Sequence, residues 1–128
     1  MWRVAIYGRE VPGQAGRARL DRQVAGLVTQ VARQPGWRHV ATYGDQDHRA
    51  GRRPGLSRLL AEAPGRVDLV VVDGYGRLSP NRREQTVLLA QLGGAGVRVV
   101  VLAPSTGRRL ARMVANLALA DVIGEAAR

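Results

Sequence analysis

The stretch Val67-Asp68-Leu69-Val70-Val71-Val72-Asp73 restricts the fold of this chain more than any other. A short, near-continuous apolar run between segments of helical period is what a central parallel strand, buried on both faces, requires. The neighbouring segments supply the rest of such a sheet. Trp2 to Tyr7 reads as strand one, and Leu20, Val24, Leu27, Val28 and Val31 then recur at i, i+4, i+7, i+8 and i+11, one face of a helix closed by Gln34-Pro35-Gly36. Trp37 to Tyr43 reads as strand two. A polar, charged loop from Gly44 to Arg53 leads to a helix from Pro54 to Ala63, with proline in its first turn. Asn81 caps a helix to Leu92, Gly93-Gly94 stops it, Val97 to Ala103 makes a fourth strand, and a last helix runs from near Gly107 toward Ala127. Strands alternating with helices predict a single three-layer α/β domain, a mainly parallel sheet of four to five strands flanked by helices and joined by right-handed crossovers. Ligands of such sheets bind where the loops after the strands converge.

Composition sets the partners and excludes several chemistries. All 20 basic residues are arginine and the net charge is +10. Guanidinium forks bind phosphate oxygens bidentately and clustered positive charge attracts polyanions, which makes DNA, bound weakly and without sequence preference, the expected partner. The competing reading is a GC-rich coding sequence that favours arginine, with the side chains scattered over solvated faces. Aromatic residues make up only 4%, which argues against a base-stacking platform for single strands. The absence of cysteine removes disulfides and thiolate ligands or nucleophiles. The chain opens directly on strand-like residues and no apolar run approaches 18 residues, so the expectation is a cytoplasmic protein without a membrane segment. No cofactor is expected. Gly8, Gly13 and Gly16 suggest a glycine-rich loop after strand one, but without Gly-Lys-Ser/Thr or a full Gly-x-Gly-x-x-Gly it is poor evidence for a nucleotide.

Four blocks carry a family resemblance. Arg3-Val4-Ala5-Ile6-Tyr7-Gly8-Arg9 resembles the first strand and active-site arginine of the serine recombinases, the resolvase and invertase family. Leu20-Asp21-Arg22-Gln23 resembles the start of that family's first helix. Arg53-Pro54-Gly55-Leu56 with Leu59-Leu60 is similar to its second helix. Val67 to Asp73, running on to Arg77-Leu78-Ser79, is similar to the strand and arginine loop that complete its phosphate pocket. The resemblance spans Arg3 to about Ala120 and implies a resolvase-like catalytic domain over residues 1–128. It implies phosphate and DNA contacts from Arg9, Arg53 and Arg77, an orienting role for Gln23, and a hydrogen-bonding role for Asp45 toward an arginine. The bland reading of Gln23 is an exposed glutamine at a helix start.

The departures from the family lie at the chemistry. The family's attacking serine stands two residues after the first arginine, and that position is Val11; the usual Arg-Val-Ser-Thr run is Arg9-Glu10-Val11-Pro12. The family's aspartate before the third-block arginine is Gly76, its second arginine there is Pro80, and its Ser-Gly pair before the second helix is Ala50-Gly51. Arginines can neutralise charge in a phosphoryl transition state, but without an attacking group they only bind. Ser57, Ser79 and Ser105 are poor substitutes, and Tyr7 reads as core packing. His39 reads as a partly buried strand residue. Asp45, Asp47 and His48 crowd one loop, yet hard-metal sites need several converging oxygens, so a solvated loop without metal is expected. Leu110, Met113, Val114 and Leu117 form an apolar stripe suited to docking on the sheet or to a subunit interface, and Asp121 aligns with a family acidic residue. Family members continue into a dimerisation segment and a DNA-binding domain, so the expectation for residues 1–128 is a catalytic domain without site-specific DNA recognition.

The expectation is therefore a recombinase catalytic domain unable to cleave strands, a remnant or regulator that keeps phosphate binding and pairs with itself or with an intact recombinase. Two other classes compete. A repurposed phosphate-ester or nucleotide enzyme predicts saturable nucleotide binding, and a protein interaction module predicts no salt-sensitive DNA affinity.

Overall fold

The computed structural model describes residues 1–47 and 52–102. His48, Ser105, Asp121, the final helix and its apolar stripe lie outside the described residues. Eight elements follow one another: β1 (Trp2–Glu10), α1 (Gln14–Ala32), β2 (Trp37–Gln46), α2 (Pro54–Glu62), β3 (Leu69–Val72), a 3-10 turn (Tyr75–Arg77), α3 (Arg82–Gly94) and β4 (Arg98–Val101). The described strands pair in the order β2-β1-β3-β4, all parallel. The expected single parallel α/β sheet is what the chain forms.

The distribution of helices follows from the order. The chain leaves β1 toward β2 on one side, then travels the other way through β3 to β4, so right-handed crossovers put α1 on one face and α2 and α3 on the opposite one. The core divides accordingly. Val4, Ile6, Leu69, Val71 and Val100 pack with Leu27 and Val31 of α1, whereas Ala5, Tyr7, Val70 and Val72 pack with Leu56 and Leu59 of α2 and Leu88 and Leu92 of α3. The alternation along β1 and β3 is the period of two that a strand buried on both faces must show.

β2 breaks that alternation once. Val4 pairs with His39 but Ala5 pairs with Ala41, which leaves Val40 as an extra residue. A one-residue bulge turns all following side chains to the other face. Trp37 therefore joins the α1 core and Tyr43 the α2 core, although they are an even number of residues apart.

Several boundaries differ from the sequence expectation. β1 continues to Glu10 and β2 to Gln46, because Gly8↔Gly44, Arg9↔Asp45 and Glu10↔Gln46 continue the ladder through polar residues. α1 begins at Gln14, so Gln23 sits inside a helix and is 7% exposed instead of lying at an exposed helix start. The glycine-rich loop dissolves: Gly8 is in β1 and Gly16 in α1. His39 is fully on the surface, bonded to Ala41 O and Thr42 Oγ1. Asn81 does cap α3, accepting from the amides of Arg83 and Glu84. No described helix is long and apolar enough to cross a membrane.

Candidate phosphate pocket

The strand order reverses its direction of travel at β1, so the crevice of this sheet opens at the C-terminal ends of β1 and β3. β1 delivers Arg9 and Glu10 there and the chain turns at Val11, while the 3-10 turn after β3 delivers Gly76 and Arg77. With Asp47 from the end of β2, these residues line a cleft of about 150 Å³. That is smaller than the roughly 300–1,000 Å³ of small-molecule sites, and suits one charged group better than a nucleotide.

Both described guanidiniums that line the cleft, Arg9 and Arg77, already hold a carboxylate. Arg9 donates from Nε and Nη2 to the two oxygens of Asp47, at 2.9 and 3.1 Å. Arg77 donates from Nε to Asp73 at 2.7 Å, and from Nη1 to Arg9 O at 2.9 Å and to Glu10 Oε1 at 3.3 Å. The other Glu10 oxygen accepts from Arg19 Nε at 3.3 Å. Hydrogen bonding to Asp47 raises the pKa of Arg9, and hydrogen bonding to Asp73 raises that of Arg77, in each case against the cost of burial. Burial pushes the Glu10 carboxyl up, but bonds from Arg19 and the Val11 amide and the charges of Arg77 and Arg19 outweigh it and hold Glu10 below its ordinary value. Arg9, Arg19, Arg53 and Arg77 thus meet Glu10, Asp47, Asp73 and Glu84, one carboxylate for each guanidinium. None of the chain's net +10 resides in this cluster.

Beneath the cleft runs a buried polar chain. Asp45, 4% exposed, accepts the Tyr7 hydroxyl proton at 2.7 Å and the amides of Gly55 and Leu56 at 2.7 and 2.8 Å. Those amides belong to the first turn of α2, where a carboxylate meets unpaired donors and the positive end of the helix dipole. Gly55 is required there, since a Cβ would stand 2.4 Å from Gly44 O. Arg53, 7% exposed, donates to the carbonyl oxygens of Leu78 and Arg77 and, at 2.8 Å, to Tyr7 Oη, and its Nη1 lies 3.7 Å from Glu84. Its Nε finds no acceptor among the described residues. Burial, then the bond to Asp45, pushes the Tyr7 phenol up despite Arg53, and Tyr7, fully buried, is core, as expected.

The structure brings Arg9, Gln23, Asp45, Arg53 and Arg77 to one end of the sheet, but not all into the cleft. Gln23 clamps Arg9, accepting from its amide at 3.0 Å and donating to its carbonyl at 3.3 Å. Asp45 reaches no arginine directly among the described residues; Tyr7 stands between it and Arg53. Arg53 ties the 3-10 turn to the core and faces away from solvent. Val11 is 48% exposed at the cleft, with its carbonyl packed against α1 so closely that a Cβ on Gly16 would lie 1.8 Å from it. Ser79 is 1% exposed and donates to Glu84 at 3.0 Å while accepting from the Asn81 amide. Asp47 is no solvated loop residue, since its side chain is 6% exposed on Arg9. No cluster of three metal-ligating side chains occurs among the described residues. Sequence reasoning missed Glu10, Asp73 and Glu84. The signal for Asp73 was its i,i+4 spacing to Arg77 across the turn; Glu84 carried none.

A parallel sheet with this order, and an arginine crevice at its switch point, define an α/β domain with its charged side chains gathered where the strand order reverses. The family model described as "Resolvase, N terminal domain" matches residues 4–125, and the chain belongs to that family. The C-terminal catalytic domain of IS1535 TnpA, an IS607-like serine recombinase, is 31% identical, with 98% of this chain and 99% of that one covered and a TM-score of 0.58. The N-terminal catalytic domain of TP901-1 integrase (22% identity, 98% of each chain, TM-score 0.67) and a resolvase family site-specific recombinase from Streptococcus pneumoniae (15% identity, 94% of this chain and 88% of that one, TM-score 0.69) share the fold. A search of curated proteins finds no match.

Proposed function

We propose that this is a serine recombinase catalytic domain that does not cleave DNA and acts by binding, as a remnant or a regulator of an intact relative. The observation that carries the reading is Val11, an alkyl side chain at the mouth of the cleft, which the sequence resemblance aligns with the family's attacking serine. Loss of a nucleophile commonly costs on the order of a millionfold in turnover. Two further features support it. The buried Ser79 hydroxyl is committed to Glu84, and the pocket arginines are committed to carboxylates. The small cleft disfavours the nucleotide-enzyme reading.

DNA affinity then comes from outside the cleft. Arg22, Arg52, Arg82 and Arg83 are exposed and none forms an ion pair among the described residues. Such charges bind duplex phosphate weakly, without sequence preference and with strong salt dependence. Residues 1–128 act as one resolvase-like domain in the cytoplasm, paired with itself or with an active recombinase. The test combines fluorescence anisotropy on duplex DNA over a salt series with denaturing gels. Micromolar-range affinity that falls with salt, and no protein–DNA adduct, is the expected result. A covalent adduct overturns the proposal, and the absence of salt-sensitive binding favours a protein interaction module.

A further inference from the structure

Of the carboxylates at the cleft, Glu10 stands apart. Asp47 and Asp73 grip single arginines through short bonds at 2.9 and 2.7 Å. Glu10 instead spans two arginines, Arg77 and Arg19, through longer bonds of 3.3 Å to each. It follows Arg9 directly on β1 and lines the cleft beside Val11, with the Val11 amide donating to its Oε2 at 3.3 Å. Two guanidiniums and a backbone amide converging on a pair of anionic oxygens make the donor set that binds a phosphate group. Here the chain supplies the anion.

We propose that Glu10 is an internal phosphate mimic that occupies the oxyanion position of the cleft, so that an external phosphate enters only by displacing it. This inference deepens the binding reading above and names what limits it: the arginines are present, but the donors that converge at this position, Arg77 Nη1 and Arg19 Nε, are already filled by Glu10. A like charge at this distance opposes an incoming anion directly, whereas a neutral amide of the same shape leaves Arg77 and Arg19 with donors to offer. Position 10 then decides whether the cleft excludes or accepts a phosphoryl group.

Inorganic phosphate is the probe, titrated into the whole chain by isothermal calorimetry, with chemical-shift changes at the Arg9 and Val11 amides reporting the location. Native protein, Glu10→Gln and Asp21→Asn are compared. Asp21 is an exposed partner of Arg17 on α1, so its variant changes net charge equally without removing a bond to Arg19 or Arg77. The expected result is a gain of about tenfold or more in phosphate affinity for Glu10→Gln, and none for Asp21→Asn. Equal affinity of native protein and Glu10→Gln overturns the inference, as does an equal gain in both variants. Glu10→Ala, which removes the side chain entirely, must reproduce the gain. Adduct formation on DNA would refute the functional reading without touching this result, and a failed phosphate gain would leave DNA binding by the exposed arginines intact.

Discussion

The two faces of the sheet are built by the same strands yet solve different problems. Against α1 the strands present Val4, Ile6, Leu69 and Val71, a dry layer closed by Leu27 and Val31. Against α2 and α3 the same strands present Ala5, Tyr7, Val70 and Val72, and at the C-terminal end this layer gives way to Tyr7, Asp45 and Arg53, buried and hydrogen-bonded in series. A dry layer gains stability with every apolar atom it covers. A buried ionic chain gains little net stability from its attractions, because desolvation offsets them, and loses heavily when a member is removed. The polar layer holds the first turn of α2, the 3-10 turn and the end of β1 in one arrangement, which is what a pocket at that end needs. The dry face only has to be filled.

Truncation on each face tests the contrast. Arg53→Ala strips Tyr7 Oη and the carbonyls of Leu78 and Arg77 of their donor, and should cost about 3–5 kcal/mol in urea unfolding. Leu27→Ala on the dry face should cost about 2–5 kcal/mol through its cavity and leave the cleft's amide resonances in place, whereas Arg53→Ala shifts them. Equal disturbance of the cleft by both would break the comparison. Tyr7→Phe is milder, about 1–3 kcal/mol, since it removes the hydroxyl's bonds to Asp45 and Arg53 but leaves Asp45 its two backbone donors and Arg53 its carbonyl acceptors. The smallest effect lies at the opposite end of the sheet. There Arg3, through its guanidinium and amide, holds the Asp68 carboxyl below its ordinary value of 3.8. A depressed folded value means stability present above the ordinary pKa and lost as pH falls through the folded one, so denaturant midpoints should fall as pH drops below about 4, and Asp68→Asn should flatten that slope.

The sheet, its helices and their order were legible because Val67 to Asp73 and the helical stripe of Leu20, Leu27 and Val31 state their periods plainly. So was the Asn81 cap, which depends on one local side chain. The strand ends were not. Gly8-Arg9-Glu10 and Gly44-Asp45-Gln46 carry no apolar alternation, and they extend the sheet only because each finds the other across the ladder. Gln23 was misplaced for a related reason: α1 starts at Gln14 without a side-chain cap to announce it. The arginines were recognised singly, but their pairing with Asp47, Glu10 and Glu84 joins residues up to 67 apart, which no local pattern carries.

The extra residue at Val40 has a consequence for how this domain tolerates change. Substituting that half-exposed valine touches little, but deleting its codon would restore an uninterrupted zigzag from Trp37 onward. Tyr43 and Asp45 would keep the face they hold now, toward α2, because Tyr7 and Arg9 of β1 remain their ladder partners. A one-residue deletion between Ala41 and Asp45 would act in the opposite way, turning Asp45 toward α1 and away from Tyr7 and the amides of α2.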